Sequence, residues 1–291
     1  GCERSWTKAK SERYAGRMRI DKVLSSTLSL NSLTGVRHTK PSVYVDADGS
    51  PTDVMTYIQP EKSTTISQDI RLSGDNKTVN WLIASSVFYE TIETTQSIVI
   101  NDNILVGGSP IGENELGFNH AAFFVCDDLS DKLLGPCNSA AREDGRSSGD
   151  YWSYAFYGDM TFRISTNINV STGLRYSLDT KKFSTSSHFG QGVTRKIFGD
   201  NLLGPNTSGN ALKREKSWKG FQPRIAIDYS PLNNILLYGS YSKGYKAGGF
   251  NTITALSFDE ETANSFELGL KSGLGGSFKF NINGYFIDYD N

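Results

Sequence analysis

Residues 151–179 hold two long runs in which apolar and polar side chains alternate, separated by a short polar joint, and nothing else in the chain restricts the fold as strongly. In the first run Trp152, Tyr154, Phe156, Met160 and Phe162 fall on one face, opposite Tyr151, Ser153, Ala155, Tyr157, Asp159 and Thr161. After the joint, Ile168, Val170, Thr172, Leu174, Tyr176 and Leu178 oppose Asn169, Ser171, Gly173, Arg175, Ser177 and Asp179. Each run is long enough to cross a bilayer as a tilted strand, which takes about 9–11 residues, whereas ordinary strands average about 5–6. An arginine facing lipid near the midplane costs about 2–4 kcal/mol. Arg175 therefore fixes the register: Trp152, Tyr154, Phe156, Phe162, Leu174 and Tyr176 are expected to face lipid, and Asp159, Arg175 and Asp179 to face water or a plug. The pattern predicts an all-β, antiparallel, up-and-down transmembrane β-barrel.

The same alternation recurs. Leu28, Leu30 and Val36 oppose Ser29, Asn31 and Arg37; Ile66, Ile70 and Leu72 oppose Ser67, Asp69 and Arg71; Trp81, Ile83, Val87 and Tyr89 form one face of the next run. Further on, Ile225, Ile227 and Tyr229 oppose Gln222, Arg224 and Asp228, and Phe266, Leu268 and Leu270 oppose Ser265, Glu267 and Lys271. A last run sets Phe278, Phe280, Ile282 and Phe286 against Lys279, Asn281 and Asn283, while residues 235–246 carry aromatic and polar groups on both faces. With a first strand at 17–25 this makes about ten strands and no helix. Tight joints rich in turn formers lie near 25–26, 74–77, 165–166, 230–233 and 273–276, and long polar connections at 40–62, 93–150, 181–219 and 247–261. Short turns on one rim and long loops on the other belong to an outer-membrane barrel.

A formal charge of -1 excludes a basic nucleic-acid binder. No run approaches the roughly 18 apolar residues of a transmembrane helix, which a barrel does not need because only alternate residues meet lipid. The chain starts without an initiator Met and stops on a continuing strand, so residues 1–291 are expected to be an internal barrel fragment. Cys126 and Cys137 bracket a polar loop and are candidates for a disulfide in an oxidising compartment, with two free thiols as the alternative.

The C-terminal third narrows the class. Ser240-Tyr241-Ser242-Lys243-Gly244-Tyr245-Lys246-Ala247-Gly248-Gly249-Phe250-Asn251, then Phe266-Glu267-Leu268-Gly269-Leu270-Lys271-Ser272 and Asn283-Gly284-Tyr285-Phe286-Ile287-Asp288-Tyr289-Asp290, resemble consecutive barrel strands of TonB-dependent outer-membrane receptors. Leu33-Thr34-Gly35-Val36-Arg37, Ser67-Gln68-Asp69-Ile70-Arg71-Leu72 and Ser171-Thr172-Gly173-Leu174-Arg175-Tyr176 are similar to upstream strands of that family, in family order. The lead-in Phe258-Asp259-Glu260 departs from the family's usual pattern. The resemblance implies location in the bacterial outer membrane and a missing plug domain through which a TonB–ExbB–ExbD complex delivers energy. It also implies missing C-terminal strands, since the family's barrel has about 22, and a ferric siderophore as the leading cargo, with corrinoids or oligosaccharides as the alternatives.

For chemistry the chain offers little. No nucleophile elbow, phosphate loop or paired-cysteine metal motif is present. Asp127, Asp128 and Asp131 lack the spacing of a calcium loop, and His38, His120 and His188 have no second ligand nearby in sequence. The expectation is no enzyme, no metal centre and no cofactor. Tyr241, Tyr245, Lys246 and Phe250, where a strand enters a long connection, are candidates for stacking on and pairing with an anionic chelate, against a structural reading as interfacial anchors. Asp69, Arg71, Arg175, Asp179, Arg224, Asp228, Glu267 and Lys271 are expected to form, with Arg37, a charged ladder facing the plug, each wet pair contributing about 0–1 kcal/mol. Two rivals remain: a passive porin-like channel, and a secreted glycan-binding β-sandwich whose aromatic face would need a second sheet over it.

Overall fold

In a computed structural model the described residues are 7–47, 55–101, 140–188, 203–204, 207, 210–274 and 278–290. Alternating sequences pair with their nearest neighbours, and ten strands follow one another in a single antiparallel sheet: β1 (Lys8–Ser25), β2 (Leu28–Asp46), β3 (Met55–Asp75), β4 (Val79–Asn101), β5 (Ala140–Arg163), β6 (Ile168–His188), β7 (Leu212–Leu232), β8 (Ile235–Lys246), β11 (Glu261–Leu274) and β12 (Phe278–Asp290). Between β8 and β11 a small separate hairpin forms from β9 (Gly249–Phe250) and β10 (Ser257–Phe258). The sheet is a barrel wall that does not close, with β1 and β12 as its free edges.

Several strands exceed the sequence expectation. The first begins at Lys8 rather than near Arg17, and β2 and β3 run on to Asp46 and back to Met55, absorbing most of the connection expected at 40–62. These extensions carry polar residues on both faces, so hydropathy alternation stops marking them although the backbone ladder goes on. The ambiguous run 235–246 is a strand, paired with β11 along its length and with β7 from Ile235 to Ser242 through one irregularity near the turn.

At the tight-turn end the turn formers act as expected. The Asn76 Oδ1 accepts hydrogen bonds from the Thr78 and Val79 amides at 2.9 and 2.8 Å. Arg163 donates from Nη1 and Nη2 to Asp75 Oδ1 at 3.0 Å, tying the start of one turn to the end of a neighbouring strand. The Asn234 amide reaches the Gly273 carbonyl at 2.9 Å.

A single-layer sheet has no interior. On the face carrying Phe156, Leu174, Tyr176, Ile225, Ile227, Phe266 and Leu268, the side chains are exposed, Phe156 by 62%. Among the described residues no second sheet covers them, so the sandwich reading lacks its essential layer. The buried apolar side chains, Ala84, Ala155, Phe183, Leu203, Trp218 and Ala255, include none from that apolar face.

Candidate functional site on the polar face

The opposite face is a hydrogen-bonded network in which tyrosines separate the charges. Asp69 accepts from Arg71 Nε at 2.5 Å and from the Tyr157 hydroxyl at 2.7 Å, and Arg175 lies over the Tyr157 ring at 5.1 Å. Arg224 pairs with Asp159 at 3.0 Å. On the far side Glu267 accepts from Tyr238 Oη and Asn283 Nδ2, while Lys271 sits over the Tyr238 ring at 5.2 Å. Arg37 donates to Thr65 at 3.5 Å. An unbroken ladder of ion pairs is thus not what the sheet builds. Direct pairs such as Arg71 with Asp69 and Arg224 with Asp159 alternate with tyrosine and hydroxyl contacts to Asp179, Arg175, Glu267 and Lys271.

Toward the long connections the polar face becomes an aromatic and cationic cluster. The segment 247–259 folds back over it as a strap. Phe250 stacks on Phe183 at 5.5 Å and meets the edge of Trp218 at 5.9 Å, and Phe183 and Trp218 are only 5% and 3% exposed. Lys181 Nζ donates to the Gly248 carbonyl at 2.6 Å and lies over the rings of Tyr151 and Trp218 at 5.5 and 5.8 Å. Lys216 pairs with Asp259 at 2.5 Å and lies over Trp218 at 5.4 Å. Glycine is required at 248: a Cβ there would collide with the Phe258 carbonyl and the Trp218 indole. Ala255 adopts a φ of 55°, a left-handed conformation that a non-glycine residue holds only when its surroundings enforce it.

A second segment lies on the same face. The Leu203 amide donates to buried Glu143 at 2.8 Å, and Thr207 Oγ1 both accepts from the Ser187 amide and donates to its carbonyl at 3.2 Å. Gly204 faces Thr252 of the strap.

The four residues expected at a ligand site are not together. Tyr241 belongs to the apolar face, tilted on Phe266 at 5.0 Å with its hydroxyl on Asn264. Tyr245 reaches the polar face, where it donates to Asp179 at 3.0 Å and its ring fills the space left by Gly220. Lys246 is exposed and paired with Glu261 at 2.9 Å. Phe250 is the strap's anchor. Asp228 lies opposite Asn169 and Tyr238. Among the apolar-face candidates Trp152 packs on Tyr89 and Tyr154, at 4.3 and 6.0 Å, and Phe162 stands opposite Val79 and Val170. His38 bonds Thr64 at 2.8 Å through Nδ1, and the described residues hold no cluster of metal-ligating side chains. Cys126, Cys137, His120 and the Asp127–Asp131 run lie outside the described residues.

Lys181, Phe183, Lys216 and Trp218 are legible in the sequence only as part of a long polar connection at 181–219. The signal in the sequence is the spacing of cations and aromatics two apart, Lys181 and Phe183 in one run and Arg214, Lys216 and Trp218 in the other, which the strand pairing brings to one face.

Residues 21–291 match the model of the TonB dependent receptor-like β-barrel. The chain belongs to that family. It is a family of receptors and not of enzymes. Among solved structures, the ferric yersiniabactin uptake receptor FyuA from Yersinia pestis superimposes with a TM-score of 0.68 at 12% identity, over 97% of this chain and 36% of that one. The ferric citrate transporter FecA gives 0.60 at 11% identity over 99% and 36%, and the siderophore receptor PiuA from Acinetobacter baumannii 0.57 at 13% over 97% and 47%. This chain of the receptor family therefore spans less than half the length of each, and identities this low establish the shared barrel architecture alone.

If the strap is held by its aromatic anchor, Phe250→Ala frees it. The Asn251 amide, bonded to the Leu256 carbonyl at 2.9 Å, is then expected to exchange hydrogen about tenfold faster or more, while strand amides of β5 and β6 keep their protection. Unchanged exchange at Asn251 would mean that the strap does not depend on Phe250.

Proposed function

We propose that this chain is part of the wall of an outer-membrane receptor that captures a ferric chelate at the cell surface and imports it, with energy supplied by a TonB–ExbB–ExbD complex through a plug domain. The observation that carries the reading is the family match joined to two chemically opposite faces on one continuous sheet. Trp152, Tyr154, Phe156, Phe162, Leu174 and Tyr176 meet lipid, with Trp152 and Tyr89 at the outer interface, where amphipathic rings settle. In β6 the crossing runs over residues 168–178. Asp69, Arg71, Arg175, Asp179, Arg224, Asp228, Glu267 and Lys271 line the lumen and solvate a plug.

Iron chelates are the favoured cargo because matched structures include receptors for ferric yersiniabactin and ferric citrate. The same architecture also serves a copper transporter, OprC, so barrel shape does not select the metal. What favours a chelate is the aromatic and cationic lining at 181–218, suited to a flat, anionic, partly apolar ligand.

The test uses the intact receptor in cells lacking other iron-uptake receptors. Radioactive iron supplied as a chelate is expected to enter only when TonB is present, while binding at the surface survives TonB loss. Accumulation that ignores TonB, or ligand-independent ion conductance in planar bilayers, would move the assignment to a passive channel.

A further inference from the structure

The strap leaves one polar group without a partner. Trp218 is 3% exposed and its Nε1 has no hydrogen-bond acceptor among the described residues. Leaving a buried donor unpaired is costly, and native folds carry few such groups. The ring is held against Gly248, whose carbonyl takes the Lys181 ammonium instead. At the other end of the strap, Asp259 takes the second cation on the same indole, Lys216. Two oxygen acceptors on one short segment thus occupy two cations, and a third donor stands unused between them.

The carboxylates facing this cluster from neighbouring strands do not fill the gap. Asp179 of β6 accepts the Tyr245 hydroxyl, and Glu90 of β4 accepts from Ser63 at 2.7 Å. Lys181 lies beyond the lipid-crossing part of β6, and burial among the rings lowers its pKa from the ordinary lysine value against the pull of Asp179 and Glu90. A cation in that position gains from any oxyanion brought within hydrogen-bond reach, because charge-assisted bonds in a partly desolvated site are about twice as strong as neutral ones.

We propose that Lys181, Lys216 and the Trp218 indole N–H form an anion-binding site that the β9–β10 strap occupies with its own oxygens, Gly248 O and the Asp259 carboxylate, until anionic oxygens of a bound chelate displace it. This rests on the chelate-receptor reading and adds that the preferred chelate bears negative charge on carboxylate or catecholate oxygens. The strap is then an internal stand-in for the ligand. Its release exchanges one set of acceptors for another and supplies an acceptor to the orphaned indole.

The experiment measures binding to the intact purified receptor of two iron complexes, ferric tris-catecholate, which is anionic, and a ferric tris-hydroxamate, which is neutral. Lys181→Met keeps the stem over the rings and removes the charge; it is expected to weaken the anionic complex by about tenfold or more, as loss of one charge-assisted hydrogen bond implies, and to weaken the neutral one far less or not at all. Trp218→Phe is expected to weaken the same complex by a smaller factor. Asp259→Asn loosens the strap's hold on Lys216 and is expected to tighten the anionic complex. Equal effects of Lys181→Met on both complexes, or weaker anionic binding by Asp259→Asn, would overturn the proposal while leaving the receptor reading intact. Wild-type receptor that binds neither complex would overturn both.

Discussion

Arginine in place of Phe156 is expected to lower the stability of the intact receptor in lipid by about 2–4 kcal/mol, the cost of a guanidinium at the hydrocarbon midplane. Phe156 is 62% exposed on the apolar face and lies between Ser85 and Tyr176 in neighbouring strands, near the middle of the apolar run of β5 from Trp152 to Phe162. Neither of these two opposite residues is a carboxylate that an arginine could pair with, and snorkelling has far to go from the middle of the apolar run. The matched control is Asn169→Arg on the polar face, opposite Asp228, where a new cation finds both water and a carboxylate and the change should stay within about 0.5 kcal/mol. Denaturant unfolding from liposomes measures both. A small effect at Phe156, or comparable effects at the two sites, would contradict the assignment of the faces. A penalty of the expected size is a large fraction of a typical domain's ~5–15 kcal/mol, so much of the Phe156→Arg receptor should fail to insert in cells.

The two faces are readable in the amino-acid pattern alone because Arg175, between Leu174 and Tyr176, leaves a strand only one acceptable register, and the ladder pairs Arg175 with Tyr157 and Gln222 as that register requires. The count of strands is readable from the turn formers: Asn76 and Ser165 make the local hydrogen bonds that end a strand, and Asn234 ties its turn to the neighbouring one at Gly273. Where strands run on past the alternating apolar stretches this legibility fails for a physical reason. Outside lipid nothing penalises a polar side chain on either face, so β2, β3 and β5 continue through sequences such as Lys40-Pro41-Ser42 and Ser147-Ser148-Gly149 that look like loop. The candidate site suffers most from this. Tyr245 and Lys246 are neighbours in sequence, yet one bonds Asp179 and the other Glu261. Trp218, whose buried indole organises the cluster, lies in what reads as a polar connection. Its environment depends on a strap about thirty residues further along, held by Gly248 and Phe250, and no local pattern reports so distant a contact.

Expressed without the rest of its barrel, the chain is expected to associate rather than remain a monomer. β1 and β12 each have a strand neighbour on one side only, so the 13 residues of β12 present alternate N–H and C=O groups to the surroundings along one edge. In hydrocarbon each unsatisfied group costs several kcal/mol, and even a few together exceed the ~5–15 kcal/mol that stabilises a typical domain. Water satisfies those groups but exposes Phe278, Phe280, Ile282 and Phe286, which are 44–64% accessible, together with the apolar face of every other strand. Neither solvent accommodates the open wall, whereas pairing edge to edge with another copy satisfies the backbone in both. Size-exclusion chromatography after refolding into detergent should give a broad distribution of oligomers, and the intact receptor a single narrow species. A monodisperse monomer of the isolated chain in water, melting in one cooperative step, would contradict the open-wall architecture, because it would require the apolar face and both edges to be covered by the chain's own residues. That none of the ten described strands of the wall turns back to cover another is the property that makes it dependent on further strands, and the matched barrels, of which the chain spans 36% to 47%, are long enough to supply them.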